Sequence, residues 1–226
     1  MTIAPDREGR GCLRHDIWLL TPEGAAVHEP GRLAVIADVH LGYEWARGAQ
    51  GDSVPSHSLR ETTAKLERLT RRLPGRIATI LVAGDLVESG SRCPRTRHDR
   101  EALAEWLACR GIGLEVLLGN HDSRDSRQGE SIRELAGWTI GHGHERLRGE
   151  RIVIGHHHPC LKAEGRGFPC FLAGPRLVVL PAWSNNAAGV APWIVHRAVE
   201  SRWSRGDVRC LASDGEILLD FGPCRE

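Results

Sequence analysis

The chain has 226 residues, 41% of them hydrophobic, enough to bury a core that needs no disulfide or metal as a staple. Thirty basic and 29 acidic residues leave a net charge of +1, so no overall basic field marks the chain for nucleic acid. The seven cysteines are an odd, scattered set without a C-x-x-C pair, which argues for a reducing compartment and against a disulfide framework. The opening "MTIAPDREGRG" lacks the apolar centre of a signal peptide, and no stretch has the apolar length of a bilayer span. A soluble, cytoplasmic protein without membrane contact is expected. Only Lys65 and Lys162 are lysines, an arginine bias that we read as compositional.

Residues 1–11 are polar and read as a flexible tail ahead of one domain spanning 1–226. "DIWLL" and "GAAVHEP" predict short strands around a Pro-Glu-Gly turn. "RLAVIA" is a compact apolar run that stops at "DVHLG", as a buried strand feeding a loop does. Leu59, Leu66, Leu69 and Leu73 recur at helical spacing, which predicts a helix over 58–72 ended by Pro74-Gly75. "IATILVAGD" predicts a strand, "RHDREALAEWLACRG" a helix closed by Gly111, and "LEVLLGNHD" a third strand. This alternation predicts a mainly parallel sheet with its site at the strands' carboxyl ends. Further on, "RIVIGHHHP", "PCFLAG", "RLVVLPAW" and "GEILLDFG" read as short strands with little helix between them. The expected fold is α/β, two sheets packed face to face and flanked by helices.

The polar residues at the predicted strand ends form a set: Asp38-Val39-His40, Gly84-Asp85, Gly119-Asn120-His121-Asp122, "GHGHE" with His142 and His144, and "GHHHP" with His156 and His158. Two divalent cations about 3.5–4 Å apart clamp a phosphate, acidify a water and neutralise a departing oxygen. Holding cations that close requires a carboxylate between them. Imidazoles and an amide oxygen complete mixed shells suited to Mn, Fe or Zn rather than Ca. Alternation lets Asp38 and His40 point one way, and likewise His156 and His158, with His157 turned away. Asn120 supplies an oxygen without adding charge. The glycines before Asp85, Asn120 and His156 permit close backbone approach.

In that order, these motifs resemble the calcineurin-like metallophosphoesterase superfamily over residues 32–183. The resemblance implies an αββα four-layer sandwich and two divalent metal ions, Mn²⁺ first and Fe or Zn as alternatives. It assigns Asp38, His40, Asp85 and His158 to one metal and Asp85, Asn120, His142 and His156 to the other, with Asp85 bridging. A metal-bridging hydroxide would attack phosphorus, His121 would protonate the leaving oxygen, and Asp122 would orient that imidazole. His144 competes with His142 as ligand and otherwise faces substrate. "ADVHLGYE", "GDLVES", "GHHHP", "PCF" and "LPAW" are similar to a narrower group, the ligase-associated DNA damage response, PdeM-like phosphoesterases. Tyr43, Glu88 and Trp183 depart from that group's usual lysine, histidine and phenylalanine. The implied substrate is a phosphodiester, possible single-stranded DNA, with DNA ligase and helicase partners in repair. A phosphomonoesterase or nucleotide phosphodiesterase is the alternative within the class. A catalytically idle, metal-bound subunit of a repair complex is the alternative outside it. Arg124, beside the "GNHD" loop, is a candidate for bearing phosphate charge, Arg97 for meeting a phosphate backbone, and Trp45 and Trp183 for lining the cleft.

Overall fold

The computed structural model describes residues 3–89, 93–122, 130–203 and 207–224. The first half of the chain builds one seven-stranded sheet in sequence order: β1 (Ile3–Pro5), β2 (Leu13–His15), β3 (Trp18–Leu20), β4 (Ala26–His28), β5 (Leu33–Ile36), β6 (Thr79–Ala83) and β7 (Gly113–Leu117). Pairing is antiparallel through β5 and parallel from β5 to β7. The expected parallel sheet is therefore only the part of this sheet whose crossovers contain helices. Between β5 and β6 run α1 (Tyr43–Ala49) and α2 (Ser58–Arg72); between β6 and β7 runs α3 (Pro94–Ala108). The β7 strand lies at the sheet's edge, and only its last residue, Leu117, is buried.

The expectation of a flexible tail at 1–11 is corrected over its described part. β1 pairs with β2, and the Asp6 carboxylate, 5% exposed, takes Arg10 Nε at 2.6 Å and Nη2 at 3.1 Å. A polar segment is ordered here because its charges pair with one another.

The second half supplies β8 (Ile132–Leu135), β9 (Trp138–Gly141), β10 (Ile152–Ile154), β11 (Cys160–Ala163), β12 (Arg166–Gly174), β13 (Leu177–Val179), α4 (Pro192–Trp203), β14 (Arg209–Ser213) and β15 (Leu218–Pro223). The sheet order is β15-β14-β12-β13-β10-β9-β8, with β11 paired to β12. β10 runs parallel to both β9 and β13. The twelve-residue α4 was not expected from a region read as strands and turns.

Alternation in β5 shows how the layers form. Leu33 and Val35 face the second sheet, packing in a cluster with Trp18, Trp138, Phe171 and Val178. Ala34 and Ile36 face the helices, packing with Leu66 and Leu69 of α2 and Leu103 and Leu107 of α3. On the other side of the molecule, Val195 and Val199 of α4 cover Ile152, Leu172 and Cys210. The result is helix, sheet, sheet, helix. Trp18 and Trp138 meet edge to face at 6.0 Å between ring centres, one from each sheet. Trp183 is 2% exposed in the core between α2 and the first sheet, so it does not line a cleft as expected. All seven cysteines are free, and no helix among the described residues is long and apolar enough to cross a membrane.

Candidate metal centre

Both sheets end their parallel strands at the same place. Asp38 follows β5, Asp85 follows β6, Asn120 follows β7, His142 follows β9, and His156 and His158 follow β10. The loops are stitched together by backbone hydrogen bonds: the Val39 and His40 amides donate to the Asp85 carbonyl, and the Gly155 amide donates to the His142 carbonyl. Asp38, His40, Asp85, His156 and His158 all have φ between 47° and 65°. Non-glycine residues rarely adopt this left-handed backbone, and such strain persists only where the surroundings enforce it. Here it turns five side chains toward one point.

Close approach requires glycine three times, and at Gly84 a Cβ would strike the His142 side chain. A Cβ on Gly119 would strike the Asp85 carboxylate, and one on Gly155 would strike Ala37 and Asp38.

Two groups of three ligand-type side chains result, each with its donor atoms within 4.8 Å of one another: Asp38, His40 and His158, and Asp85, His142 and His156. Asp38 is fully buried, Asp85 is 2% exposed, His40 4% and His142 1%. The groups adjoin. His142 Nδ1 lies 3.8 Å from Asp38 Oδ1, while its Nε2 lies 3.1 Å from Asp85 Oδ2. The Asp38 Oδ2 atom accepts the His156 amide at 2.9 Å, and Asp85 Oδ1 accepts the His121 amide at 2.8 Å. Each carboxylate is thus aimed by an amide from another loop.

These residues fit divalent ions. His142 Nδ1 sits 3.1 Å from the Ala83 carbonyl oxygen, which can only accept, so that nitrogen carries the proton. The Nε2 atom then faces Asp85 Oδ2, Asn120 Oδ1 at 2.9 Å and His156 Nδ1 at 3.2 Å. A cation is needed where these atoms converge, either a proton on His142 Nε2 or a metal ion in its place. A backbone carbonyl behind a ligating histidine is also the usual support for one. In the other group, His40 Nε2 and Asp38 Oδ1 are buried without a hydrogen-bond partner.

The electrostatics carry the same sign. Burial alone would raise the Asp85 carboxyl, but His142 and the His121 amide hold it below the usual carboxylate range. Burial disfavours charge on His142, yet Asp85 and Asp38 raise it above an ordinary imidazole. His158 is raised against its burial by Asp38. His156 goes the other way, pushed down to about 4 by burial and by its neighbour His142. One positive charge is welcome beside these carboxylates and two crowded imidazoliums are not.

His144 lies beside this group, its ring centre 5.2 Å from His142 and 6.3 Å from His156, but it belongs to neither ligand group. His121 Nδ1 lies 2.6 Å from the Glu88 carbonyl oxygen, which leaves Nε2 as the ring nitrogen that this bond does not engage. The role expected of Asp122 is corrected: its oxygens accept the amides of Gly119 at 2.8 Å, Asp85 at 3.0 Å and Val87 at 3.5 Å. Asp122 therefore ties the Asp85 and Asn120 loops together, and the Glu88 carbonyl holds the His121 imidazole. Burial raises the Asp122 carboxyl despite those amide bonds.

Trp45 is anchored on α3, its Nε1 donating to Asp99 Oδ2 at 2.7 Å with Arg95 over the ring. Arg97 is exposed in the first turn of α3. Arg124 lies outside the described residues. Glu88 was not among the expected site residues, although its carboxylate lies 2.9 Å from His40 Nδ1 and forms a third group with His40 and His121. The sequence signal was its place three residues after Asp85, where the narrower group has histidine.

A two-sheet sandwich that gathers carboxylates and imidazoles at its strand ends in this way defines a metal-dependent hydrolase of phosphoester bonds. The sequence model of the calcineurin-like phosphoesterase family matches residues 31–217, and the chain belongs to that family. The fold is similar to the crystal structure of Pseudomonas putida nuclease MPE, with a TM-score of 0.65 and 18% identity over 96% of this chain and 99% of that one. A search of curated protein sequences finds no match.

Proposed function

We propose that the chain, acting as a single catalytic domain, is a dinuclear phosphodiesterase whose substrate is nucleic acid, single-stranded DNA foremost. The observation that carries the reading is the pair of adjoining groups, Asp38/His40/His158 and Asp85/His142/His156. Asp38, His40, Asp85 and His158 would hold one divalent ion, and Asp85, Asn120, His142 and His156 the other. Manganese suits these mixed oxygen and nitrogen donors, as do iron and zinc. When bound, the two ions neutralise a phosphate and lower the pKa of water to supply the nucleophile.

The chain's own residues do the rest. The Ala83 carbonyl fixes the His142 tautomer, and amides aim Asp38 and Asp85. With Nδ1 held on the Glu88 carbonyl, His121 presents Nε2 to deliver a proton to the departing oxygen. Its place beside Asn120 puts that proton next to the second ion's ligands. Asp122 acts on position, through the loops it ties.

The nucleic-acid part of this reading is supported by the PdeM-like motifs and by the similarity to the structure of Pseudomonas putida nuclease MPE. A repair setting, with ligase or helicase partners, follows from the narrower resemblance alone, and a cytoplasmic location rests on the scattered cysteines. Hydrolysis of bis-p-nitrophenyl phosphate, p-nitrophenyl phosphate and single-stranded DNA with Mn²⁺ tests it, with Asp85→Ala and His121→Ala as controls. Turnover of the diester and DNA, lost in Asp85→Ala, is the expected result. Turnover of the monoester alone points to a small-molecule phosphatase. Bound metal without turnover points to the idle subunit.

A further inference from the structure

A groove of about 190 Å³ lies between α2, β12 and the segment that leads from β13 to α4, with the β3–β4 and β14–β15 turns at its other walls. Lys65 and Arg68 come from α2, Arg166 and Phe168 from β12, and Pro181 and Asn185 from the third side. Pockets that enclose a whole drug-sized ligand span roughly 300–1,000 Å³. This one suits a single charged group with part of its hydration.

Its charge is unbalanced. Among the described residues, none of Lys65, Arg68 and Arg166 has an ion-pair partner: Lys65 Nζ donates to the Trp183 carbonyl at 3.0 Å, and Arg166 stacks over Phe168 at 5.7 Å. Two carboxylates also line the groove, and each has one oxygen held from outside the cationic trio. Glu23 takes Arg72 Nε at 2.8 Å, and Asp214 Oδ1 accepts the amides of Glu216 and Ile217 at 2.9 Å each. Burial pushes the Lys65 ammonium down to about 8 and nearby Arg68 adds to that fall, against the smaller opposite pull of Glu23 and Glu61.

The groove also adjoins the metal centre through the backbone. Trp183, whose carbonyl Lys65 holds, donates its own amide to the Ala37 carbonyl at 2.8 Å, and the Ser184 amide donates to the Asp38 carbonyl at 3.0 Å. One step further, Asn185 lines the groove. The turn at residues 183–185 thus links the Asp38 loop to the wall of the groove.

We propose that the Lys65, Arg68 and Arg166 groove is a subsite for a second phosphate group, next to the one held at the metal centre. Arginine and lysine contacts of this kind fix the register of a strand without reading its bases. In a polynucleotide the group is the neighbouring phosphodiester; in a small substrate it is free phosphate. The first source rests on the nucleic-acid reading above, and the second does not.

Lys65 and Lys162 are the only lysines, which allows a direct test. The full chain is labelled with an amine-acetylating reagent near neutral pH, and the rate at each lysine is followed by mass spectrometry. The experiment is run without ligand, with single-stranded oligothymidylate, and with inorganic phosphate. Oligothymidylate is expected to slow Lys65 at least five-fold and leave exposed Lys162 unchanged, and the Arg68→Ser/Arg166→Ser variant is expected to lose that protection. Protection by phosphate but not by oligothymidylate keeps the subsite and removes the polynucleotide as its ligand. An unchanged Lys65 rate with both probes overturns the proposal, and so does equal protection in the double variant. A chain that hydrolyses no phosphoester yet protects Lys65 would separate the subsite from the catalytic reading.

Discussion

Glu88 and His121 are joined by a 2.6 Å hydrogen bond from the imidazole Nδ1 to the Glu88 carbonyl, while the Glu88 carboxylate lies 2.9 Å from His40 Nδ1. One residue thus braces a candidate ligand with its side chain and a candidate acid with its backbone. Substitution by glutamine removes the charge behind His40 and keeps the carbonyl. Partners behind a ligand are typically worth 10- to 100-fold in metal affinity or activity. We expect Glu88→Gln to weaken Mn²⁺ binding in that range by titration calorimetry. An unchanged Kd would mean that the carboxylate does not support His40.

Asp85 and His121 should separate when metal content and rate are measured together. Asp85→Asn removes the carboxylate charge of the Asp85, His142 and His156 group, so metal content by mass spectrometry should fall together with turnover. His121→Ala should retain metal and lose about 10²- to 10⁴-fold in kcat, the usual worth of a positioned acid or base. The loss should shrink on diesters whose leaving group needs no proton. Equal losses on good and poor leaving groups would remove His121 from proton transfer.

Asp122→Asn probes the corrected role. The carboxylate collects three amides from the loops after β6 and β7. Asparagine keeps one oxygen and brings an amino group that faces donors. A hydrogen bond to a charged group contributes about 1.5–3 kcal/mol, and a loss of that order should appear as a lower Tm. Metal content should fall with it, because the Asp85 loop is no longer tied. A variant with normal Tm and metal content but slow turnover would restore the role of orienting His121.

Gly119→Ala tests close approach. The added methyl meets the Asp85 carboxylate and amide, so backbone must shift at a ligand. Overpacking of this kind costs about 1–3 kcal/mol. We expect Mn²⁺ binding to suffer more than folding, read as a large rise in Kd beside a modest fall in Tm. Wild-type Kd would show that the loop yields without moving Asp85.

Acid should loosen the segment after β1. The Arg10 side-chain hydrogen bond, opposed by burial, holds the Asp6 carboxyl below its ordinary value. A carboxyl depressed by folding contributes fully above its unfolded pKa of about 3.9, and that contribution is lost as pH falls through the lower folded value. Asp6→Asn should therefore lower Tm near pH 7 and flatten the acid side of the Tm–pH curve. Parallel curves for the variant and wild type would show that Asp6 adds no pH dependence.

The central β5–α2–β6–α3–β7 run was legible because its periods are clean. The Leu59–Leu73 spacing gives α2 to the residue, and short apolar runs give the parallel strands. Candidate ligands were legible because a strand that ends on Asp, Asn or His has nothing to bury there. Other parts left weaker traces. α4 exposes Trp193 and Ile194, so its apolar residues do not fall on one face, and three-residue strands such as β1 and β2 are too short to show alternation. Glu88 and Asp122 acquire their roles from loops distant in sequence, and no local pattern encodes a carboxylate whose partners are three amides.

The order in which strands pair also has a consequence for synthesis. The first sheet runs from β1 to β7 in chain order, so each strand finds its neighbour as soon as it emerges from the ribosome. The second sheet must wait, since β13 enters between β10 and β12, and β14 pairs with β12 across α4. A growing chain of about 122 residues would carry Asp38, His40, Asp85 and Asn120 but none of His142, His156 and His158. Neither proposed ligand set is complete until the late histidines arrive, so full metal affinity should appear only once the second sheet has folded.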